Sequence, residues 1–179
     1  MFPRLCLALS AAIFLGCGQS SHGVPEDPAQ TNPSQPMAQS GALTVRHTPN
    51  PCDVHSSAKD PNPPATYMWY YRTDVKNNLD VPLRIIWFEG YNQLNGRWMA
   101  GNILGRTMTS ADFSQWYTEG DPVVDGVIKP GQTATCDPNW HASTSPKGVP
   151  VKWAYKAVDP DGREYYAEGV IESVSIKTK

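Results

Sequence analysis

The chain has 179 residues, of which 18% are charged and 10% aromatic, with 17 Pro, 14 Gly and 4 Cys. Charge below the roughly 25% of an ordinary domain, with Pro near twice its usual ~5%, argues against a helical bundle and for irregular or all-β structure. The 15 Lys and Arg against 17 Asp and Glu leave a formal charge of −2, which excludes the basic field that draws nucleic acid by counterion release.

The chain opens with Met1-Phe2-Pro3-Arg4 and a small, apolar run from Leu5 to Gly16. A basic residue ahead of an apolar stretch too short to span a ~30 Å hydrocarbon core has the layout of an export signal. Phe14-Leu15-Gly16-Cys17 resembles the lipobox of bacterial lipoproteins, with Phe14 where that family usually carries Leu. The resemblance implies a signal peptide over residues 1–16 and lipidation of Cys17, whose acyl chains would anchor the exported protein to the bacterial membrane. Gly18 stands where many inner-membrane lipoproteins carry a retention Asp, which favours the outer membrane, facing the periplasm or the cell surface. Residues 17–41 read as a tether: they hold Pro25, Pro28, Pro33 and Pro36 and show no apolar periodicity.

Residues 42–179 carry all 6 Trp and all 8 Tyr and form the folded part. Alternation predicts strands over Leu43–His47, Tyr67–Val75 and Pro82–Tyr91, with a weaker one over Arg97–Leu104 after the turn Gln93-Leu94-Asn95-Gly96. In the third segment Leu83, Ile85, Trp87 and Glu89 share one face by simple alternation. Thr109 with Asp112 three residues on fits a capping box, predicting one short helix over 109–117 with Phe113, Trp116 and Tyr117 on a common side. Val123–Ile128 and Thr133–Cys136 flank a Pro130-Gly131 turn. Val149–Val158 and Glu164–Glu172 flank Asp159-Pro160-Asp161-Gly162, a hairpin signal, and Ser173–Lys177 extends the last strand.

Some seven or eight short strands with one helix predict an all-β, antiparallel two-sheet sandwich. The order of pieces resembles an extracytoplasmic immunoglobulin-like module. The resemblance is carried by Val75-Lys76-Asn77-Asn78 before Val81-Pro82-Leu83-Arg84-Ile85, by Ile128-Lys129-Pro130-Gly131-Gln132-Thr133, and by Trp153-Ala154-Tyr155 leading into the last hairpin. Such modules imply no single function.

Loss of Cys6 with the signal and lipidation of Cys17 leave Cys52 and Cys136, which an oxidising compartment should join as a disulfide. The alternative is metal: Cys52 and His55 with Cys136 and His141 could supply two thiolates and two imidazoles to zinc or copper, with His47 near in sequence. No Gly-x-Ser-x-Gly, Ser-x-x-Lys or HExxH pattern appears, and Ser110, Ser114, Ser143 and Ser145 lie where caps and turns are expected. Glu89, Asp112, Glu119, Asp121 and Asp125 offer carboxylates without a spacing that marks a glycosidase pair. Asp159-Pro160-Asp161-Gly162 lacks the repeated acids of a calcium loop.

The aromatic surplus is the remaining signal. Trp69, Trp87 and Trp153 sit in strand patterns and are expected in the core, since aromatics dominate core burial. Trp98, Trp116, Tyr117 and Trp140 lie in or beside loops and the helix, where they could meet a glycan or protein, unless the helix closes the sandwich with Phe113 and Trp116 turned inward. The sequence therefore points first to a lipid-anchored, non-catalytic envelope protein that binds a protein, glycan or other envelope component and needs no cofactor. A metal-binding envelope protein comes second and a small hydrolase third.

Overall fold

A computed structural model describes residues 41–56 and 67–175. The expected signal, Cys17, the tether and the end of the expected last strand lie outside the described residues. Among the described residues, nine strands and one helix follow in the order β1 (Leu43–Thr48), β2 (Val54–Ser56), β3 (Tyr67–Asn77), β4 (Leu83–Leu94), β5 (Arg97–Ala100), α1 (Ser110–Trp116), β6 (Val127–Ile128), β7 (Thr133–Ser143), β8 (Val151–Val158) and β9 (Glu164–Ile171). All the strand pairs are antiparallel, and they form two sheets. The expected all-β sandwich is the observed fold. No described helix is long and apolar enough to cross a membrane.

Each sheet is organised on one long strand. In the first sheet β3 has β7 on one edge and, on the other, β1 followed by β2. In the second, β4 has β8 and then β9 on one edge, while the other is covered in turn by β6, a bridge from Met108 to Phe88, and β5. The facing sides meet in an aromatic core in which Phe88, Phe113, Tyr117, Trp153 and Tyr155 are all but fully buried. Phe88 stacks on Tyr155 and meets Phe113 edge-on, geometries that suit the ring quadrupoles. The polar tips in this core are paired: Trp153 Nε1 donates to Tyr71 Oη at 2.8 Å, and the hydroxyls of Tyr117 and Tyr155 bond to each other.

The helix forms where the capping box predicted. Asp112 Oδ2 accepts from the Thr109 backbone N–H at 2.8 Å, and Arg106 grips both oxygens of Asp112 at 2.7 Å. That fork holds the Asp112 carboxyl down to about 2. Phe113 and Tyr117 are thereby driven inward, and Trp116 meets Phe88 and Trp153 edge-on, so the helix closes the sandwich.

Two strands run at least three residues past their expected ends. β4 runs on to Leu94 and β7 to Ser143, past Asp137-Pro138. Between the pairs Tyr71↔Asn139 and Thr73↔Cys136, β3 contributes one residue and β7 two, a bulge that accommodates a Pro without a lost ladder bond. A second bulge lies in β4: Ile85 pairs with Ala157 and Trp87 with Lys156, leaving Ile86 over. Alternation is therefore broken at Ile86. Leu83 and Ile85 share the buried face with Phe88, whereas Trp87 and Glu89 face outward, contrary to the simple alternation expected. Trp87 is only half-buried, not core, while Trp69 and Trp153 are core as expected.

After β9 the chain crosses to the first sheet as a strap. Cys52 donates its backbone N–H to the Glu172 carbonyl at 2.8 Å, Val174 N–H returns to the Cys52 carbonyl at 2.9 Å, and Trp69 Nε1 donates to the Val174 carbonyl at 3.0 Å.

Candidate functional site

The outward face of the second sheet carries the most chemistry. The registers arrange it in rows across β4, β8 and β9: Trp87, Lys156 and Tyr166; then Glu89, Ala154 and Glu168; then Tyr91, Lys152 and Val170. Trp98 on β5, opposite Gln93, lies one row further on. A solvent-facing side of an antiparallel sheet ordinarily reads polar and exposed. Here β8 is buried on both of its faces, with Lys152 at 1% and Ala154 at 0% exposure.

Lys152 is accommodated by three groups. Its Nζ lies 3.1 Å from Glu168 Oε2, 5.1 Å from the Tyr91 ring centroid and 5.0 Å from that of Trp98. A carboxylate and two ring faces replace the water that the ammonium loses, as cation–π geometry allows. Glu168 Oε2 also accepts the Tyr166 hydroxyl at 3.1 Å, which fixes the carboxylate. Lys156 pairs with Glu164 at 2.8 Å beside them. Glu89 is buried, and its Oε1 accepts the Gly90 N–H at 3.1 Å. Burial pushes its carboxyl up to about 7 against the pull of the Gly90 and Asn102 N–H groups.

The four aromatic residues singled out as ligand contacts do not come together. Trp98 belongs to this face. Trp116 and Tyr117 are turned into the core, Tyr117 at 1% exposure. Trp140 lies on the outward face of the first sheet, paired with Tyr70. The contributions of Trp87 and Tyr91 escaped the sequence reading because only the Ile86 bulge turns them to the same side as Trp98.

The expected disulfide does not join Cys52 and Cys136 in this structure, where both side chains are buried. Cys52 lies in the connection between β1 and β2, along one edge of β3, and Cys136 lies in β7 on the other edge. Cys52 Sγ is engaged by the Tyr70 carbonyl at 2.9 Å, and Cys136 Sγ faces the Pro138 carbonyl. Burial raises the Cys52 thiol and keeps it protonated, which disfavours both metal binding and nucleophilic attack.

The Cys/His metal set is also dispersed. Cys136 pairs with Thr73 and His141 with Trp69, four residues apart along β3 or about 13 Å. No group of three or more potential ligands gathers among the described residues. The His55 backbone, on β2, lies opposite Met68 of β3. His141 stacks on Trp69 at 5.0 Å and places Nε2 2.9 Å from Ser173 Oγ. This Ser–His contact lacks the group that would orient a base, because His141 Nδ1 has no hydrogen-bond partner and burial lowers the ring to about 4. His47 is similar: Nδ1 meets Thr73 Oγ1 at 3.0 Å, Nε2 is unpartnered against Gly169, and burial lowers it to about 4.

No family model and no curated protein matches the chain. Among solved structures, one similar to it is a structural-genomics target designated SoR45, with TM-score 0.51 and 10% identity over 77% of this chain and 90% of that one. Another is a Bordetella pertussis protein provisionally designated ApaA, with TM-score 0.46 and 16% identity over 76% of this chain and 95% of that one. The first likeness is one of fold alone.

Proposed function

We propose that this is a lipid-anchored envelope protein whose immunoglobulin-like sandwich binds an envelope component, without catalysis, through the outward face of the second sheet. The observation that supports this reading is Lys152, an ammonium 1% exposed on a side of the sheet that water would ordinarily cover. A desolvated charge fixed by ring faces and a hydrogen-bonded carboxylate is a preorganised surface, which lowers the ordering cost of binding. Cys17 would hold the module at the membrane, and residues 17–41 would give it reach.

Two experiments test the proposal. A photo-crosslinking residue at Gln93 or Lys156, on the proposed face, should yield adducts in intact envelopes, whereas one at Arg46 or Lys76, on the outward side of the first sheet, should not. Equal labelling from both sheets would overturn the assignment of the face. Cys17→Ala should release the protein from membranes, and retention would overturn the anchor.

A further inference from the structure

We infer that the outward face of the second sheet takes an uncharged polysaccharide, stacked on Trp87 and Trp98 and hydrogen-bonded by Glu168 and Gln93. The inference rests on the binding face proposed above and names its ligand class.

The first argument is the state of the aromatic rings. Trp87, Trp98 and Tyr166 are half-buried, each with part of its surface packed and part open, while Tyr91 is buried against Lys152. A flat apolar ring fixed from below suits the apolar face of a sugar, and fixing it in advance removes the rotamer cost of binding. Trp98 stands opposite Gln93, six residues from Trp87 along β4. Six residues of strand span about 20 Å. That separation exceeds one sugar ring and suits a chain of several.

Charge supplies the second argument. Lys152 is neutralised by Glu168 at 3.1 Å and Lys156 by Glu164 at 2.8 Å. Both lysines of the face are thus paired with acids of the same face. An anionic polymer would have to break these pairs, and a cationic one would have to compete with lysines already in place. A polyhydroxylated, uncharged chain needs only donors and acceptors. The half-exposed carboxylate of Glu168 and the amide of Gln93 provide them.

The full chain in detergent micelles is titrated with soluble β-glucan, galactomannan and chitohexaose, and with dextran sulfate, following tryptophan fluorescence and binding heat. At least one neutral glycan should bind. Trp98→Ala and Trp87→Ala should each weaken it about tenfold or more, as loss of a central aromatic contact does. Trp98→Phe should retain most of the affinity, and Trp140→Ala all of it. Circular dichroism and thermal unfolding show whether each variant folds, and the Trp98→Phe result stands even if Trp87→Ala does not. Failure of every neutral glycan, or binding that ignores Trp87 and Trp98, overturns the inference. Preference for dextran sulfate with steep salt dependence overturns it too. If neutral glycans fail while crosslinks from Gln93 and Lys156 still form, the face stands and the carbohydrate falls. If both fail, the binding face falls with it.

Discussion

The first sheet turns two histidines inward, and the second turns a buried carboxyl and a buried lysine outward. His47 and His141 lie on the inner side of β1 and β7, near Tyr71, each with one ring nitrogen unpaired. Glu89 and Lys152 lie on the outer side of β4 and β8, each held by specific neighbours. The outer side of the first sheet is ordinary by comparison, with Arg46, Arg72 and Lys76 exposed. An inward histidine kept neutral is the cost of filling a core with an available side chain. An outward lysine excluded from water has no such account, because solvent was within reach. The difference separates a sheet that serves the fold from one that also presents a surface.

The strongest way to break this contrast is Lys152→Ala. It leaves Glu168 without its cation and opens space beneath Trp98, and should cost about 3 kcal/mol in urea unfolding. Lys76→Ala on the first sheet should stay within about 0.5 kcal/mol. Equal losses would remove the distinction between the two outer faces.

Acidity probes the inward groups next. Both histidines fall from 6.5 to about 4 on folding, so between those values the unfolded chain binds more protons than the native one. Stability should be full above pH 6.5 and decline as pH falls toward 4, by about 3 kcal/mol for each ring. His141→Phe, which can keep the stack on Trp69, should remove its share of that decline in unfolding measured at successive pH values.

Glu89 has the opposite slope. Its folded value near 7 lies above the ordinary 4.5, so the native state holds a proton that the unfolded chain has released. Stability from this group should fall as pH rises from 4.5 through 7. Glu89→Gln should therefore raise stability by up to about 3 kcal/mol at pH 7.5 and leave it unchanged at pH 4. A gain that is the same at both pH values would contradict the assigned titration.

The smallest effect is expected at Trp140, half-buried on the outer side of the first sheet. Trp140→Ala should cost less than about 1 kcal/mol, as substitutions away from core and network do, in thermal unfolding. A larger loss would show that the first sheet also presents a built surface.

Much of the sandwich was legible because its signals are local. Thr109 and Asp112 announced the helix, and Asp159-Pro160-Asp161-Gly162 announced the β8–β9 turn, where the Asp159 carboxylate accepts from the N–H groups of Asp161 and Arg163. What stayed hidden depends on pairing. β2 has three residues and exists only against β3. The continuation of β7 through Pro138 looked like a loop because the bulge that admits it is a property of two strands. The Cys52–Cys136 pairing followed from compartment and count, neither of which places two thiols in space. The outer face was half legible: Trp98 was singled out, but Glu89 was one carboxylate among several and Lys152 gave no signal at all, since a lysine on an alternating strand ordinarily predicts water.

The unpaired Ile86 lets β4 change length without changing its faces. Ile85 and Trp87 already stand opposite the neighbouring Ala157 and Lys156, so removal of Ile86 would close the bulge into a regular ladder and leave Trp87, Glu89 and Tyr91 outward and Phe88 inward. Loss of a residue further along β4 would instead turn the side chains that follow it to the opposite face, or force β4 to slip against β8. The bulge is therefore where this strand can absorb a change of count at the smallest cost to its surface.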